Sequence, residues 1–306
     1  MKQTFFLLIL FSLKFTSLVA WGEVGHAATA QIAYEELSPE IKTKFDSYVD
    51  AFSKNFPAFK DYHDLANALD DSHFFGGLNL FASWHHTNLI NDPKNLLNQN
   101  QRKEIFNLRA NDDIRWAIKE SVETLKSPKA SDLAKGFALM FLLHFAGDIH
   151  QPLHCASYYD NNFTFPRGDI AGNKFKINYR PNQLHSLADQ MFGVGKFGKF
   201  LGVLNKHQIR GALSAEEFTK RLNSLVLIIK KENPKTDRAS ILDPNIWAEE
   251  SAAIAREKFY TIKYNSIPSP EYIAMGQEVC KQRVAIGGYR LGALLNSILK
   301  DSEVNR

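Results

Sequence analysis

Cysteine is scarce in this sequence: Cys155 and Cys280 are the only two among 306 residues. So low a content excludes a fold that depends on a framework of several disulfides, as small secreted domains do. Whether the two thiols form a single bond stays open, because their distance in space does not follow from the sequence. A buried metal cluster would stabilise the chain more strongly than one such bond.

Long apolar runs are also missing, apart from one at the N-terminus. Residues 1–20 combine a positive Lys2, an apolar stretch over Thr4–Leu13 and a small final residue, Ala20. This order is typical of a cleaved secretory signal peptide. The apolar stretch is too short to span a bilayer comfortably, so an uncleaved membrane anchor is the weaker alternative. We therefore expect a secreted or periplasmic protein, with residues 21–306 as one domain and without stable membrane association.

A large excess of one charge sign is missing as well. The formal net charge is +4, and removal of Lys2 and Lys14 with the signal peptide leaves +2. A charge this small does not indicate a surface that coats nucleic acid through electrostatics alone. A polyanionic ligand must therefore be held at a local site, and metal ions can form one.

The spacing of apolar residues predicts an all-α, or mainly α, protein with a single domain. Ser131 is a typical N-cap before a strongly apolar helix, which we expect to be buried and to end before Pro152. Similar capping signals at Ser38 and Ser214 begin further helices. The alternation of side chains over Lys174–Arg180 predicts a short β-hairpin in the least helical part of the chain.

Histidine and aspartate recur at the same spacing in two places. His144 and Asp148 lie four residues apart, and so do His185 and Asp189. On a helix this spacing puts both side chains on one face, one turn apart. His154 follows the first pair beyond a proline. Imidazole and carboxylate groups in this number are the ligands that a zinc cluster needs, whereas a set of unrelated core histidines is the alternative.

Two further segments carry groups that can join such a cluster. Cleavage after residue 20 would make Trp21 the N-terminus, and its amine and carbonyl oxygen can chelate a metal together with His26. Farther along, Asp70 or Asp71 precedes His85, and Asp70 stands fifteen positions before the histidine. This third group suits the same cluster, and a solvated acidic helix end is the alternative.

These motifs resemble those of a known family, the secreted three-zinc single-strand nucleases of fungi and plants, also called nuclease/3′-nucleotidases. That family shares its helical fold with the bacterial zinc-dependent phospholipases C. The resemblance runs from Trp21 almost to the C-terminus and implies the same single-domain, multi-helix fold for this chain. The matching motifs, in chain order, are WGxxGH at Trp21–His26, WHxxN at Trp84–Asn88, HFxGDxHQPLH at His144–His154, GN at Gly172-Asn173, LHSxxD at Leu184–Asp189, WAEES at Trp247–Ser251 and GYRLGALLN at Gly288–Asn296.

The resemblance implies three zinc ions, two of which share the bridging carboxylate of Asp148. It further implies that Asp70, Asp148 and His73 are catalytic and that a metal-activated hydroxide hydrolyses single-stranded DNA and RNA. The products would carry 5′-phosphates, and 3′-nucleotidase activity would accompany the endonuclease. The implied ligand sets, ion by ion, are Asp70, His85, His144 and Asp148; the Trp21 amine and carbonyl, His26 and the other oxygen of Asp148; and His154, His185 and Asp189.

Several positions depart from the family's pattern, and three of them are candidate site residues. His73 stands where relatives have a basic residue, commonly arginine, so we expect activity to shift to lower pH. His86 stands where relatives stack a base on an aromatic ring, and Asn88 replaces an acidic residue near the edge of that base. An amide both donates and accepts hydrogen bonds, so the base preference is expected to differ. Together with Asn173, these two residues form the substrate-binding set that the resemblance implies.

The alternative function is that of a zinc-dependent phospholipase C, which uses the same fold and similar metals. In those lipases glutamate replaces the last metal ligand, which here is Asp189, and the first histidine lies farther from the N-terminal tryptophan. These differences favour the nuclease. Its partners would be single-stranded DNA, RNA and nucleotides, and we expect a monomer.

Overall fold

The computed structural model describes residues 21–70, 81–108, 112–190 and 214–301. The predicted signal peptide, Asp71 and His73 lie outside the described residues. Most of the described chain is helical, which confirms the mainly α prediction. The α-helices are α1 (Glu23–Glu35), α2 (Pro39–Asn55), α3 (Tyr62–Asn67), α4 (Gln99–Asn107), α5 (Ile114–Lys126), α6 (Asp132–Asp148), α7 (Leu184–Asp189), α8 (Ala215–Glu232), α9 (Pro244–Glu257) and α10 (Pro270–Asp301).

Helix α6 lies at the centre of the fold and packs against α1, α2, α3, α5 and α10. Its sequence explains this position, since apolar side chains occur all round it and most of its residues are buried. Ser131 caps its first turn by accepting a hydrogen bond from the N–H of Ala134. At the other end of α6, His144 and Asp148 are completely buried and lie on one face. The interior of the protein therefore receives two of the predicted ligands from its most apolar helix.

Capping residues begin two other helices where the sequence predicts them. The hydroxyl of Ser38 accepts a hydrogen bond from the N–H of Ile41, and that of Ser214 accepts one from Glu217. Each bond satisfies one of the backbone donors that the first turn of a helix leaves without an intrahelical partner. Among the described helices, none combines the length and the apolar character that crossing a bilayer requires.

The predicted β-hairpin is wrong in its extent. At residues 174–183 the chain does reverse direction, but it pairs through one antiparallel bridge, between Lys176 and Gln183. Phe175 and Ile177 are buried, so the alternation of side chains reflects one buried face of this turn. Pro181 has no N–H to offer to a strand ladder, which limits the pairing.

The described residues form one two-stranded sheet, in which β1 (Leu89–Asn91) and β2 (Ala156–Tyr158) run parallel. Strand β1 follows directly after the WHxxN motif, and β2 begins two positions after His154. The pairing therefore brings the end of the WHxxN motif close to His154, although more than sixty residues separate the two in sequence.

The two cysteines are free thiols, and both are buried. Burial raises the pKa of Cys155 to about 12 and that of Cys280 further still, so neither thiol is a reactive thiolate. The disulfide that the sequence left open is therefore not formed in this structure.

Candidate metal centre

Five separate segments bring histidines and aspartates together at the end of α6. They are the first turn of α1, the single helical turn after α3, the turn that ends at His85, the C-terminal half of α6 with the turn after it, and α7. Three groups of side chains result, and within each group the ligand atoms lie within 4.8 Å of one another. The groups are Asp70, His85 and His144; His26, His144 and Asp148; and His154, His185 and Asp189.

The carboxylate of Asp148 is the common neighbour of the first two groups. Its Oδ2 lies 2.9 Å from Nδ1 of His85 and 3.2 Å from Nε2 of His144. Its Oδ1 lies 3.4 Å from Nε2 of His26 and 3.6 Å from Nδ1 of His154. Burial alone would raise the pKa of Asp148, but the charges and hydrogen bonds of the surrounding histidines outweigh burial and hold the pKa well below its ordinary value. Asp148 is therefore an ionised carboxylate whose two oxygens face different sets of histidines.

The first group contains Asp70, for which the sequence left Asp71 as an alternative. Oδ1 of Asp70 lies 4.0 Å from Nε2 of His144, and Oδ2 lies 3.9 Å from Nε2 of His26. Nε2 of His144 is also 3.1 Å from Nδ1 of His85. Asp70 thus lies beside the predicted ligands, while Asp71 falls outside the described residues.

The second group depends on a close approach between α1 and α6. The ring of His26 stacks on that of His144, with centroids 4.0 Å apart. His26 also packs directly on the backbone at Gly147, where a Cβ would lie only 2.6 Å from its Nδ1. Trp21 is buried two residues before the start of α1 and packs over Gly25. Its side chain is therefore anchored near His26, and its amine as a ligand stays a prediction.

The third group also approaches Asp148, whose Oδ1 lies 3.6 Å from Nδ1 of His154. Nε2 of His185 is 3.4 Å from Oδ2 of Asp189, and Nε2 of His154 is 3.7 Å from Oδ1. Burial alone would lower the pKa of His154, but Asp148 and Asp189 outweigh it and raise the pKa to about 9. The buried carboxylates of Asp148 and Asp189 therefore favour the protonated form of His154.

Backbone carbonyls fix the orientation of three of the histidine rings. Nδ1 of His144 donates a hydrogen bond of 2.8 Å to the carbonyl of Ala66. Nδ1 of His154 donates one of 2.6 Å to the carbonyl of His85, and Nδ1 of His185 donates one of 2.6 Å to the carbonyl of Ala171. Because a carbonyl only accepts, each Nδ1 carries a proton and each Nε2 faces the aspartates. This is the outer hydrogen bonding that metal-ligating histidines have in proteins.

The donor set fits zinc. Tetrahedral coordination at zinc–ligand distances of about 2.0–2.1 Å puts neighbouring donor atoms about 3.3 Å apart. The distances between donors given above range from 2.9 to 4.0 Å. Within the described ranges, Nε2 of His26, Nε2 of His154 and Oδ1 of Asp148 are buried without a hydrogen-bond partner. A metal ion would satisfy these atoms, which native proteins rarely leave unpaired.

Two of the three predicted substrate-binding residues, His86 and Asn88, closely follow the predicted ligand His85 in sequence. His86 is half-buried, and its carbonyl accepts a hydrogen bond from the N–H of Ile114. Asn88 is buried and adopts a φ of 52°, a left-handed conformation that asparagine tolerates. The side chain of Asn173 donates to the carbonyl of Ile170, in the loop that orients His185. Their contacts with substrate stay predictions, as does the role of His73.

Sequence reasoning missed the residues that support the segment after α6. The hydroxyl of Ser251 donates to the carbonyl of Ile149 at 2.6 Å, and Nε of Arg283 donates to that of His150. Arg290 binds Glu250 through two hydrogen bonds, at 2.8 and 2.9 Å. The WAEES and GYRLGALLN motifs thus hold this segment in place. The charged residues that these motifs place on α9 and α10 were the signal in the sequence that could have indicated this support.

His150 is the histidine of the HFxGDxHQPLH motif that joins no group. Its Nδ1 donates to the carbonyl of Ala146, and its Nε2 lies 3.2 Å from a guanidinium nitrogen of Arg290. Burial, together with Arg283 and Arg290, holds its pKa well below the ordinary value, so His150 is neutral. It is buried and packs against the ring of Trp247.

Comparison with known proteins gives a match to the S1/P1 nuclease family model over residues 21–300. The chain belongs to the S1/P1 nuclease family. Similar relatives include endonuclease 5 of Arabidopsis thaliana, 26% identical over 92% of this chain and 90% of the relative. Endonuclease 4 of the same plant is 25% identical, with coverages of 97% and 95%, and nuclease P1 of Penicillium citrinum is 22% identical, with coverages of 91% and 97%.

Family membership confirms two predictions. The resemblance was identified correctly, and the protein is an endonuclease that hydrolyses phosphodiester bonds. S1/P1 nucleases are metal-dependent, and the three His/Asp groups of this structure can hold metal ions. The family match also favours the nuclease over the phospholipase C alternative.

Proposed function

We propose that this protein is a zinc-dependent nuclease that cleaves single-stranded DNA and RNA to 5′-phosphorylated products and also acts as a 3′-nucleotidase. The observation that carries the proposal is the position of Asp148, a buried carboxylate with each oxygen directed at a different set of histidines. Nitrogen and oxygen donors in such sets suit zinc better than calcium or magnesium.

The proposed ligands are those that the resemblance implies. Asp70, His85, His144 and Asp148 would hold the first of three zinc ions. The Trp21 amine and carbonyl, His26 and Asp148 would hold the second, and His154, His185 and Asp189 the third. Zinc at these positions would lower the pKa of water and neutralise charge on the phosphate.

Side chains of this chain set the conditions for that chemistry. Asp148 and Asp70 would hold two of the cations, and the burial of Asp148 excludes bulk water from its carboxylate. His73 would donate a charge-assisted hydrogen bond to the phosphate when protonated. His86, Asn88 and Asn173 would bind the nucleotide, with Asn88 offering a donor and an acceptor to the base.

The location and assembly of the protein are part of the proposal. Residues 1–20 would be cleaved as a signal peptide, which leaves residues 21–306 as a monomeric domain outside the cytoplasm without stable membrane association. Cleavage there would create the Trp21 amine that the second zinc site requires.

The test compares substrates and two isosteric variants. The mature protein should cleave single-stranded DNA and RNA, release phosphate from 3′-nucleotides and leave phosphatidylcholine intact. Asp148→Asn should abolish hydrolysis more completely than Asp189→Asn, because Asp148 serves two groups and Asp189 serves one. Cleavage of phosphatidylcholine alone would contradict the proposal. Equal residual rates in two folded variants would contradict the bridging role.

A further inference from the structure

Gln151 is a buried polar residue at the metal centre that neither the ligand sets nor the substrate contacts include. It has no solvent-exposed surface and lies between Asp148 and His154 in the chain. Its N–H donates to the carbonyl of Asp148, and its own carbonyl accepts from the N–H of His154. The backbone at Gln151 therefore joins the end of α6 to the turn that carries His154.

The orientation of the Gln151 side chain follows from its hydrogen bonds. Its Oε1 accepts a bond of 2.6 Å from the N–H of Leu153, and a backbone N–H only donates. The amide nitrogen must then face the other way, where Nε2 donates to Oδ1 of Asp189 at 2.7 Å. The oxygen and the nitrogen of the Gln151 amide are thus each identified by their hydrogen-bond partner.

These two bonds connect the two segments that form the third group, the turn with His154 and helix α7. The bond to Leu153 caps the helical turn Pro152–Cys155, which presents His154. The bond to Asp189 reaches α7, which also presents His185. The N–H of Gly22 holds the same aspartate from a second direction by donating to its backbone carbonyl at 2.9 Å.

Gln151 also restricts how Asp189 can act. The side-chain amide of Gln151 donates to Oδ1 of Asp189 and so occupies one lone pair of that oxygen, whereas Oδ2 faces Nε2 of His185 at 3.4 Å. Oδ2 is therefore left as the oxygen best placed to bind a metal beside the two histidines. Among the described residues, the side chain of Gln151 donates to no carboxylate of the other two groups.

We propose that Gln151 is a positioning residue of the third metal group, which fixes Asp189 relative to His154 and thereby sets metal affinity at that group alone. The inference rests on the proposed function, because it assumes that this group holds zinc. Outer hydrogen bonds to metal ligands contribute about 10- to 100-fold to affinity. Loss of the Gln151 amide should therefore weaken one ion of three by that factor and leave the other two unchanged.

The experiment counts zinc per chain by native mass spectrometry after equilibration with a graded series of chelator concentrations. Gln151→Met keeps the length of the side chain and removes both hydrogen bonds. Gln183→Met is the matched control, because Gln183 precedes α7 and its side chain accepts from Ser186 without touching Asp189. Thermal unfolding of the metal-free proteins separates a general loss of stability from a loss of metal.

Gln151→Met should lose one zinc ion at about 10- to 100-fold lower chelator concentration than the wild type or Gln183→Met. His185→Ala identifies the group: the double variant with Gln151→Met should bind the same two ions as His185→Ala alone. Three ions with the wild-type chelator dependence in Gln151→Met would overturn the inference, and so would a double variant that binds one ion. A wild type without zinc would instead contradict the proposed function.

A second measurement needs no variant at position 151 to fold. In the wild type, the side-chain amide resonances of Gln151 should shift when the third group fills with zinc, and they should not shift in His185→Ala. Unchanged resonances on filling of that group would overturn the inference.

Discussion

Gly147 gives the sharpest test of how the second group is built. It precedes Asp148 on α6, and the ring of His26 lies directly on it. A Cβ at this position would lie 2.6 Å from Nδ1 of His26 and 3.1 Å from Cε1. Gly147→Ala therefore adds one methyl group under a predicted metal ligand.

The size of the effect follows from these distances. Ordinary contact begins at 3.4 Å, so the ring of His26 must move by about 0.8 Å. Alanine favours the helix by about 0.5–1 kcal/mol over glycine, whereas overpacking a core costs about 1–3 kcal/mol. Together these terms give a net loss of stability of about 0–2.5 kcal/mol. Displacing a catalytic group by about 1 Å can lower the rate about 100-fold.

The assay measures hydrolysis of single-stranded DNA, zinc content and chemical denaturation for Gly147→Ala. Gly287→Ala is the matched control, because Gly287 also lies under a histidine, His150, which joins no metal group. There the Cβ would lie 3.1 Å from the ring, so a shift of about 0.3 Å is enough. Its activity should stay within a few-fold of wild type. Wild-type activity and zinc content in Gly147→Ala would refute the reasoning.

Three further predictions test other parts of the site. An extra residue before Trp21 should remove one zinc ion and most activity; native mass spectrometry checks this, and unchanged zinc content would contradict the chelate. The ordinary pKa of histidine, about 6.5, predicts that His73→Arg extends activity into alkaline pH and that His73→Ala lowers the maximum. Wild-type pH–rate profiles in both variants would show that His73 takes no part. Burial alone would raise the pKa of Glu250, but hydrogen bonds and charges from Arg290 and its neighbours lower it to about 2. The ionised Glu250 therefore stabilises the folded protein above the pKa of the unfolded state, and this contribution is lost as the pH falls toward 2. Glu250→Gln should lower the free energy of unfolding by about 1.5–3 kcal/mol at pH 7, and denaturation at pH 3 should show a smaller difference; an equal difference at both pH values would argue against the charged pair.

The sequence predicted best those features that depend on neighbouring residues. The caps at Ser38, Ser131 and Ser214 are local, so the starts of three helices follow from a few residues each. The His-x-x-x-Asp pairs were informative for the same reason, since helix geometry alone brings their members together. The predicted ligands except Trp21 lie in the three groups or next to Asp148.

Features that depend on distant contacts were not predictable in this way. The parallel pairing of Leu89–Asn91 with Ala156–Tyr158 has no local pattern, because its partners come from separate parts of the chain. His150 and His154 belong to one motif, and the resemblance assigned only His154 as a predicted ligand. The packing of His150 against Trp247 and Arg290, which keeps it out of the three groups, depends on distant contacts. The bond from Gln151 to Asp189 likewise depends on the docking of α7.

The number of zinc ions per mature chain tests the central claim most directly. Native mass spectrometry of the protein that begins at Trp21 should find three, and removal of zinc with a chelator should abolish cleavage of single-stranded DNA until zinc is returned. A chain that binds no zinc and still cleaves at the full rate would contradict the metal centre around Asp148.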